Sequence, residues 1–379
     1  MATTDIRQSL GRFLRRWFLA PGKQRVFAWL AVCVVLVVPL FRPPQYSLDP
    51  LYTDHMRHAY AAWALLHIGP GVFTTPIAHW NFGASHPFVM WATLPHLYPI
   101  GSLVLFMPFG VLINLELVAE PLVNMAMVML FGVCGVVGSW LLYQTLSESY
   151  EPALLGVVLL IVTPSYVFWG LNGFFDTVAV VLALSGVRAY RRENLSSSMV
   201  ALVGALSLHY RLWYLGPLAL VVAWRYWQAR DGVIDWRLAL VGVLGVGSLA
   251  SFFLTIPGLA GLSESPRFHA NPIALTTGLT PNTLIALGGA VVLCAVVYRY
   301  ESDLVALSTL LLATTSVFTL TQWFPWYPVL LTPTLALADR RESHVALVVG
   351  FYLLTLLHWK SANPFYFFRM LLRTTIGLG

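Results

Sequence analysis

Long apolar runs follow one another along almost the whole chain, and they constrain the fold more than any other feature of the sequence. Hydrophobic residues make up 58% of the 379 residues and charged residues only 10%, whereas a soluble globular protein has about 25% charged residues. A helix needs roughly 20 apolar residues to cross the hydrocarbon core of a bilayer. The pattern predicts an all-α polytopic membrane protein and excludes an ordinary soluble enzyme, a disordered chain and a disulfide scaffold.

Basic residues cluster in the short stretches between these runs, and they predict the orientation of the chain. Clusters occur before the first run and around 188–192, 225–237 and 340–341. Such clusters stay on the cytoplasmic side. The N-terminus is expected to be cytoplasmic and to carry a retained signal anchor. The parity then requires that one of the apolar runs between residues 97 and 146 does not cross completely, and 97–113 is the expected one, which gives about eleven spans. The candidate segments are 26–41, 97–113, 121–146, 152–169, 173–190, 197–209, 211–227, 237–256, 282–298, 303–321, 325–338 and 344–358.

Two connections are expected on the extracytoplasmic side, residues 42–96 and residues 257–281. The first is too long for an idle connection. Within it, residues 55–68 have the spacing of an amphipathic helix lying along the membrane interface. No repeat or low-complexity segment interrupts the chain, so residues 1–379 are expected to form one membrane domain. The net charge of +6 is explained by the orientation clusters, so no nucleic-acid partner is expected.

Two polar clusters on the expected outer face contain cations that suit an anionic ligand. Asp54 is most simply a helix cap, but beside His55 and Arg57 it also suits a general base next to an anion. His209 and Arg211 lie at a break between two apolar runs. Arg211 either reaches the lipid headgroups or, together with His209, binds a phosphate through charge-assisted hydrogen bonds.

The remaining candidates suit contacts with a sugar or an acceptor. Asp176 is most simply an acid in the first turn of a helix, and the aromatic residues near position 325 are most simply part of an interfacial belt. Aromatic rings beside an amide also suit the face of a sugar, and the 257–281 connection is a candidate lid. These candidates are Asn172, Asp176, Gln322, Trp323, Trp326, Tyr327, Arg267 and His269.

Taken in order, these segments resemble the catalytic subunit of GPI mannosyltransferase I, an integral-membrane glycosyltransferase of the GT-C superfamily. The matching stretches are YTD at 52–54, the Tyr-Pro pair at 98–99, LSLHYRLWYLGPL at 206–218 and QWFPWYPVLL at 322–331. NGFFD at 172–176 is similar to the NGQFD-type turn of related prokaryotic mannosyltransferases. The resemblance implies a GT-C-type helical bundle whose outer loop carries interfacial helices.

The resemblance also implies transfer of a hexose, mannose in that family, from a polyprenyl (dolichyl) phosphate to a lipid- or protein-linked glycan. The site would face outward from the plasma membrane in a prokaryote, or into the lumen of the endoplasmic reticulum in a eukaryote. Asp54 matches the first acid of the family's Asp-x-Asp motif, and Met56 stands in place of the second. Because of this departure, GPI synthesis itself is not predicted.

The residue types suit an inverting single displacement without a metal or other cofactor. Asp54 is the expected catalytic base, and His209, Arg211, Arg57 and His55 are the expected ligands of the donor phosphate. The expected partners are the polyprenyl-phosphate sugar, a glycan or glycolipid acceptor and membrane lipids, with room for an accessory membrane subunit. Two alternatives stay open: a transporter or flippase of a lipid-linked sugar, and a subunit without catalysis.

Overall fold

The structure, a computed structural model, describes residues 12, 22, 26, 28–33, 54–80, 94–148, 150–151, 155, 174–263, 281–319 and 327–358. All regular secondary structure in these ranges is helical, which confirms the all-α prediction. For some helical residues only the backbone is described, among them Asp54, His55 and Tyr327. The predicted spans 26–41 and 152–169 lie largely outside the described residues.

The helices follow the apolar runs of the sequence closely. Short 3₁₀ helices, Gly69–Phe73, Ile77–His79 and Tyr210–Leu215, lie between some of them. The α-helices whose bounds the structure gives are α1 (Asp54–Ile68), α2 (Ile100–Asn114), α3 (Glu120–Leu146), α4 (Asp176–Arg191), α5 (Leu195–Leu208), α6 (Gly216–Gln228), α7 (Trp236–Ser263), α8 (Pro281–Tyr300), α9 (Leu304–Thr319), α10 (Tyr327–Leu330), α11 (Thr332–Leu337) and α12 (Arg341–His358).

Two of the described helices are long and apolar enough to cross a membrane. They are Glu120–Leu146, with 27 residues, and Trp236–Ile256, the first 21 residues of α7. Four further apolar helices have 10 to 17 residues. Length and composition therefore support membrane association, and the number of about eleven spans stays a prediction.

At one end of the helical bundle, polar contacts connect the termini of several helices. We call it the arginine end, and it is defined by Arg188, Tyr190 and Arg191 at the end of α4. Arg191 Nη2 at the end of α4 lies 2.9 Å from Asp339 Oδ1, just before α12. Tyr190 donates a hydrogen bond of 3.2 Å to Asp303 Oδ2, just before α9. Arg188 donates to the side-chain oxygen of Gln144 near the end of α3. The basic stretch at 188–192 thus lies beside Asp339, which directly precedes Arg340 and Arg341.

The opposite end, the histidine end, is defined by His58, His96, Tyr98, Asp176 and His209. Asp176 begins α4 while Arg191 ends it, so the two ends are separated by the 16 residues of this helix. Because an α-helix rises 1.5 Å per residue, that separation is about 24 Å. The start of α2 meets the end of α5 at this histidine end, since Gly101 lies directly beside Ser207.

Two hydrophobic clusters make up the interior, and the histidine end lies where they meet. One cluster contains residues of α4, α5, α6 and the C-terminal helices. The other contains α1, α2, the first half of α3 and Phe175, just before α4. Leu105 of α2 and Val178 of α4 pack against both clusters. Polar side chains at this boundary are therefore enclosed by apolar groups from both sides.

Helix α1 forms as the sequence predicts, but its surroundings differ from the expectation. The predicted helix over 55–68 is confirmed as Asp54–Ile68. Its first turns are buried on most sides, since Ala59, Tyr60, Ala61 and Ala64 are at most 2% exposed. This part of α1 is therefore enclosed by protein instead of exposed along one face, and its placement along the membrane interface stays a prediction. The small alanines allow close packing: a Cβ atom at Gly110 of α2 would come within 2.3 Å of the Ala59 carbonyl oxygen.

Two further boundaries differ from the sequence analysis. Residues 257–263, expected in an outer loop, continue α7 to Ser263, and residues 264–280 lie outside the described residues. The expected single span 325–338 consists, from Tyr327 onward, of the short helices α10 and α11 with a turn at Leu331. Pro328 and Pro333 lack the backbone N–H of other residues, which favours short helices here.

Candidate functional site

The chain breaks between α5 and α6 at the position that the sequence predicts. Helix α5 ends at Leu208, and His209 has an extended backbone with φ −148° and ψ 121°. A 3₁₀ turn then runs from Tyr210 to Leu215 before α6 begins at Gly216. The His209 ring caps this turn, because its Nδ1 accepts a hydrogen bond of 3.1 Å from the backbone N–H of Arg211.

His209 also contacts an acid that the sequence analysis assigned to a different cluster. Its Nε2 lies 3.0 Å from Oδ1 of Asp176, and both side chains are only 4% exposed. The two atoms lie at ion-pair distance without the alignment of a hydrogen bond. Asp176 occupies the first turn of α4, as the simpler interpretation predicted. The contact therefore brings together two stretches that are far apart in the sequence, the one that ends at Asp176 and the one that begins at His209.

Two aromatic rings connect this pair to helix α1. The Tyr98 ring lies 5.3 Å from the His209 ring and 4.8 Å from the His58 ring. The Phe175 ring contacts the same two imidazoles, at 6.1 Å and 4.8 Å. These edge and tilted arrangements are typical of packed aromatic groups. One layer of rings therefore separates His58 from His209.

A buried cation follows the start of α1. Arg57 is 5% exposed, and its Nη2 donates a hydrogen bond of 2.6 Å to the carbonyl oxygen of Pro95. His58, next along the helix, is 3% exposed. Since a charge in an apolar environment is costly unless it is compensated, the hydrogen bond to Pro95 helps to hold the Arg57 guanidinium inside the protein.

His96 fixes the segment that leads into α2. Its Nε2 lies 2.9 Å from Ser102 Oγ, and Ser102 donates its own hydrogen to the Pro99 carbonyl oxygen at 2.7 Å. Ser102 therefore accepts, and His96 carries its proton on Nε2. Burial, together with the nearby charge of Arg57, holds the pKa of His96 well below its usual value. His96 is thus a neutral group that orients the start of α2.

The structure brings together some of the predicted site residues and leaves others outside its description. Arg57, Asp176, His209 and the turn that carries Arg211 all lie at the histidine end. Asp54 and His55 are the first residues of α1, one turn before Arg57 and His58, and only their backbone is described. Tyr327 begins α10, also with its backbone alone. Outside the described residues lie Asn172, Arg267, His269, Gln322, Trp323 and Trp326.

Three members of this end are absent from the predicted site: His58, His96 and Tyr98. His58 carries a signal in the sequence, because it follows Asp54 by one helical turn and is adjacent to Arg57. Tyr98 belongs to the Tyr-Pro pair that precedes α2. The sequence contains no sign that its ring lies between two histidines from distant segments.

The chemistry available at the histidine end is that of anion binding and proton handling. Among the described residues, no group of three or more His, Cys, Asp or Glu side chains is arranged around a potential metal position. The polar groups present are guanidinium, imidazole and carboxylate. In an enclosed environment a guanidinium holds negative charge more strongly than in water, because the local dielectric constant is low.

Comparisons with family models, curated proteins and solved structures found no match to this chain.

Proposed function

We propose that this protein is an integral-membrane glycosyltransferase that moves a hexose from a polyprenyl phosphate to a lipid- or protein-linked glycan. Mannose is proposed as the hexose because of the resemblance described above. The active site would be extracytoplasmic at the histidine end, and the arginine end would face the cytoplasm with the N-terminus. The GT-C-type bundle of about eleven spans belongs to the same proposal.

The observation that carries the proposal is the convergence at the histidine end. Arg57 and His58 of α1, Asp176 of α4, and the His209–Arg211 turn come from three distant parts of the sequence. His58 and His209 contact the shared rings of Tyr98 and Phe175, and Asp176 lies beside His209. A structural subunit would have no need for buried charged groups from separate segments, since such groups are costly in a membrane-embedded interior.

The proposed reaction is a single displacement at C1 of the sugar. The acceptor hydroxyl attacks C1, the bond between C1 and the phosphate oxygen breaks, and the configuration at C1 inverts. Asp54 takes the hydroxyl proton as general base. The leaving polyprenyl phosphate carries the electron pair, and its charge is stabilised by nearby guanidinium groups, Arg211 and Arg57.

Substitution of Asp54 tests this proposal against its main rival. The variant Asp54→Asn keeps the size of the side chain and removes the base, so we expect transfer to fall by about 10²- to 10⁴-fold. A transporter or flippase would keep its lipid-linked sugar intact, with or without this carboxylate. A matched control is Asp231→Asn, an exposed acid in the turn between α6 and α7.

The assay uses purified full-length protein with polyprenyl-phosphate mannose and, separately, polyprenyl-phosphate glucose. Membrane lipid extract supplies the acceptor, and labelled products are identified. Sugar transfer by the wild type and by Asp231→Asn, with loss in Asp54→Asn, supports the proposal. Undiminished transfer in Asp54→Asn rejects the assigned base, and uncleaved donor in every sample rejects the transferase.

A further inference from the structure

Both ring nitrogens of His209 face groups of the protein, Nδ1 through a hydrogen bond and Nε2 at ion-pair distance. Nδ1 accepts the backbone N–H of Arg211 at 3.1 Å, and Nε2 faces Asp176 Oδ1 at 3.0 Å. A backbone N–H is always a donor, so Nδ1 must present its lone pair. The single proton of the neutral imidazole is therefore on Nε2, where it faces the carboxylate.

In this assignment the one N–H of His209 faces Asp176 and not a phosphate oxygen. Protonation of Nδ1 would place two donors against each other at the Arg211 N–H and would remove the cap of the 3₁₀ turn. A direct hydrogen bond from Nε2 to a phosphate would require the ring to leave Asp176. The expectation that His209 itself binds the donor phosphate therefore conflicts with both contacts.

The turn that His209 caps is held from other sides as well. Trp213 Nε1 donates a hydrogen bond of 3.1 Å to the Leu206 carbonyl oxygen in α5. The Tyr214 hydroxyl donates a hydrogen bond of 2.7 Å to the Leu330 carbonyl oxygen in α10. The backbone on both sides of Arg211 is therefore fixed, and the Arg211 side chain projects from a rigid support with its Nη1 shielded from solvent.

We infer that His209 is a positioning residue, which fixes the backbone of Arg211 so that this guanidinium binds the phosphate of a polyprenyl-phosphate ligand. Asp176 orients the imidazole through Nε2, and Nδ1 holds the turn. This inference rests on the proposed function and assigns the phosphate to Arg211 instead of His209. Removing the cap then disturbs the ligand site through the backbone, without removing a ligand contact.

Two substitutions of His209 separate its two nitrogens. In His209→Asn, the side-chain oxygen takes the place of Nδ1, and asparagine is among the best capping residues. In His209→Gln, the amide nitrogen reaches the position of Nε2 and preserves the contact with Asp176, while the short-range acceptor for the Arg211 N–H is lost. Arg211→Gln removes the proposed phosphate ligand, and His79→Asn, at an exposed histidine, is the matched control.

The measurement is binding of a fluorescent polyprenyl phosphate to the full-length protein in detergent, with the uncharged polyprenol as the reference. We expect Kd to change less than about threefold in His209→Asn and His79→Asn, and to rise at least tenfold in His209→Gln and Arg211→Gln. The same order is expected for the KM of the sugar donor. The asparagine variant should retain more than a third of the wild-type kcat.

Other results overturn the inference. Equal losses in His209→Asn and His209→Gln would show that the imidazole itself is required, and equal retention would show that the cap is dispensable. If His209→Gln does not fold, Asp176→Asn provides the second test. An increase of Kd in Asp176→Asn as large as in Arg211→Gln would indicate that His209 binds the phosphate as a charged imidazolium. A wild type that does not prefer polyprenyl phosphate to polyprenol contradicts the proposed function itself.

Discussion

A Cβ atom at Gly101 of α2 would lie 2.3 Å from Ser207 Oγ of α5 and 2.5 Å from the Ser207 carbonyl oxygen. No side chain fits into this contact, because the nearest atoms include the backbone of a helix. The approach holds the start of α2, and with it Tyr98 and His96, against the end of α5, where His209 begins the turn. A glycine thus sets the distance between two parts of the candidate site.

We expect Gly101→Ala to destabilise the protein by about 1–3 kcal/mol, the usual cost of forcing extra atoms into a packed contact. The midpoint of thermal unfolding in detergent measures the effect. Gly242→Ala in α7 is the control, because nothing lies within 4 Å of a Cβ atom there. That variant should be neutral or stabilised by about 0.4–1 kcal/mol. Equal midpoints for both variants would contradict the close α2–α5 contact.

Tyr60 on α1 donates a hydrogen bond to the carboxylate of Glu120, the first residue of α3. Tyr60 is 2% exposed, so its hydroxyl has little access to water. Tyr60→Phe removes this link, and we expect a loss of about 1–3 kcal/mol, since the bond involves a charged acceptor. Unfolding by heat should occur at a lower temperature in Tyr60→Phe than in Tyr298→Phe, where the ring is 71% exposed. A drop in both variants, or in neither, argues against the link.

The all-α class and the positions of several helices could be predicted from the sequence, because the length of an apolar run indicates the length of the helix that it forms. The predicted break at His209, the helix starting near Asp54 and the position of Asp176 in a first turn are all confirmed. Each depends on neighbouring residues only. Local periodicity and capping are therefore sufficient for them.

The pairing of distant residues could not be predicted in the same way. Nothing in the order of residues indicates that Asp176 contacts His209, because both were explained equally well by local roles. The burial of α1 could not be predicted, because a helix rich in alanine shows only a weak apolar stripe. Its small side chains nevertheless allow close packing against Gly110. Such contacts form between residues that are distant in the sequence, and no periodic pattern of the sequence indicates them.

The neutral state of His96 predicts a loss of stability in acid. Burial and Arg57 hold its pKa well below 6.5 in the folded protein, while an unfolded chain has the ordinary value. Below pH 6.5 the unfolded state therefore binds more protons, and the free energy of unfolding falls as the pH falls toward the folded-state pKa. The slope for one such group is at most about 1.4 kcal/mol per pH unit.

Replacement of the imidazole checks this pH dependence. His96→Gln keeps a donor for Ser102 but does not titrate, so its unfolding midpoint should decrease less than that of the wild type between pH 7 and pH 5. His67→Gln, at an exposed histidine of α1, should follow the wild type. The neutral-imidazole assignment is wrong if the His96 variant and the wild type lose stability in parallel.

The separation of the two ends predicts which connections are reached from each side of a membrane. Helix α3 has 27 residues, or about 40 Å, and its last turn contacts Arg188 at the arginine end through Gln144. The turn before α3 must therefore lie at the opposite end. Exposed Leu117 is in that turn, and exposed Glu193 is in the turn between α4 and α5 at the arginine end.

Single cysteines at these two positions test the proposed orientation in intact cells. The free cysteines Cys33, Cys134 and Cys294 are first replaced by alanine. An impermeant thiol reagent should then label Leu117→Cys from outside and Glu193→Cys only after the membrane is opened, because basic stretches remain cytoplasmic. Labelling of both from one side would place the histidine and arginine ends on the same surface, and labelling in the reverse order would turn the proposed active site toward the cytoplasm, where an extracytoplasmic acceptor has no access.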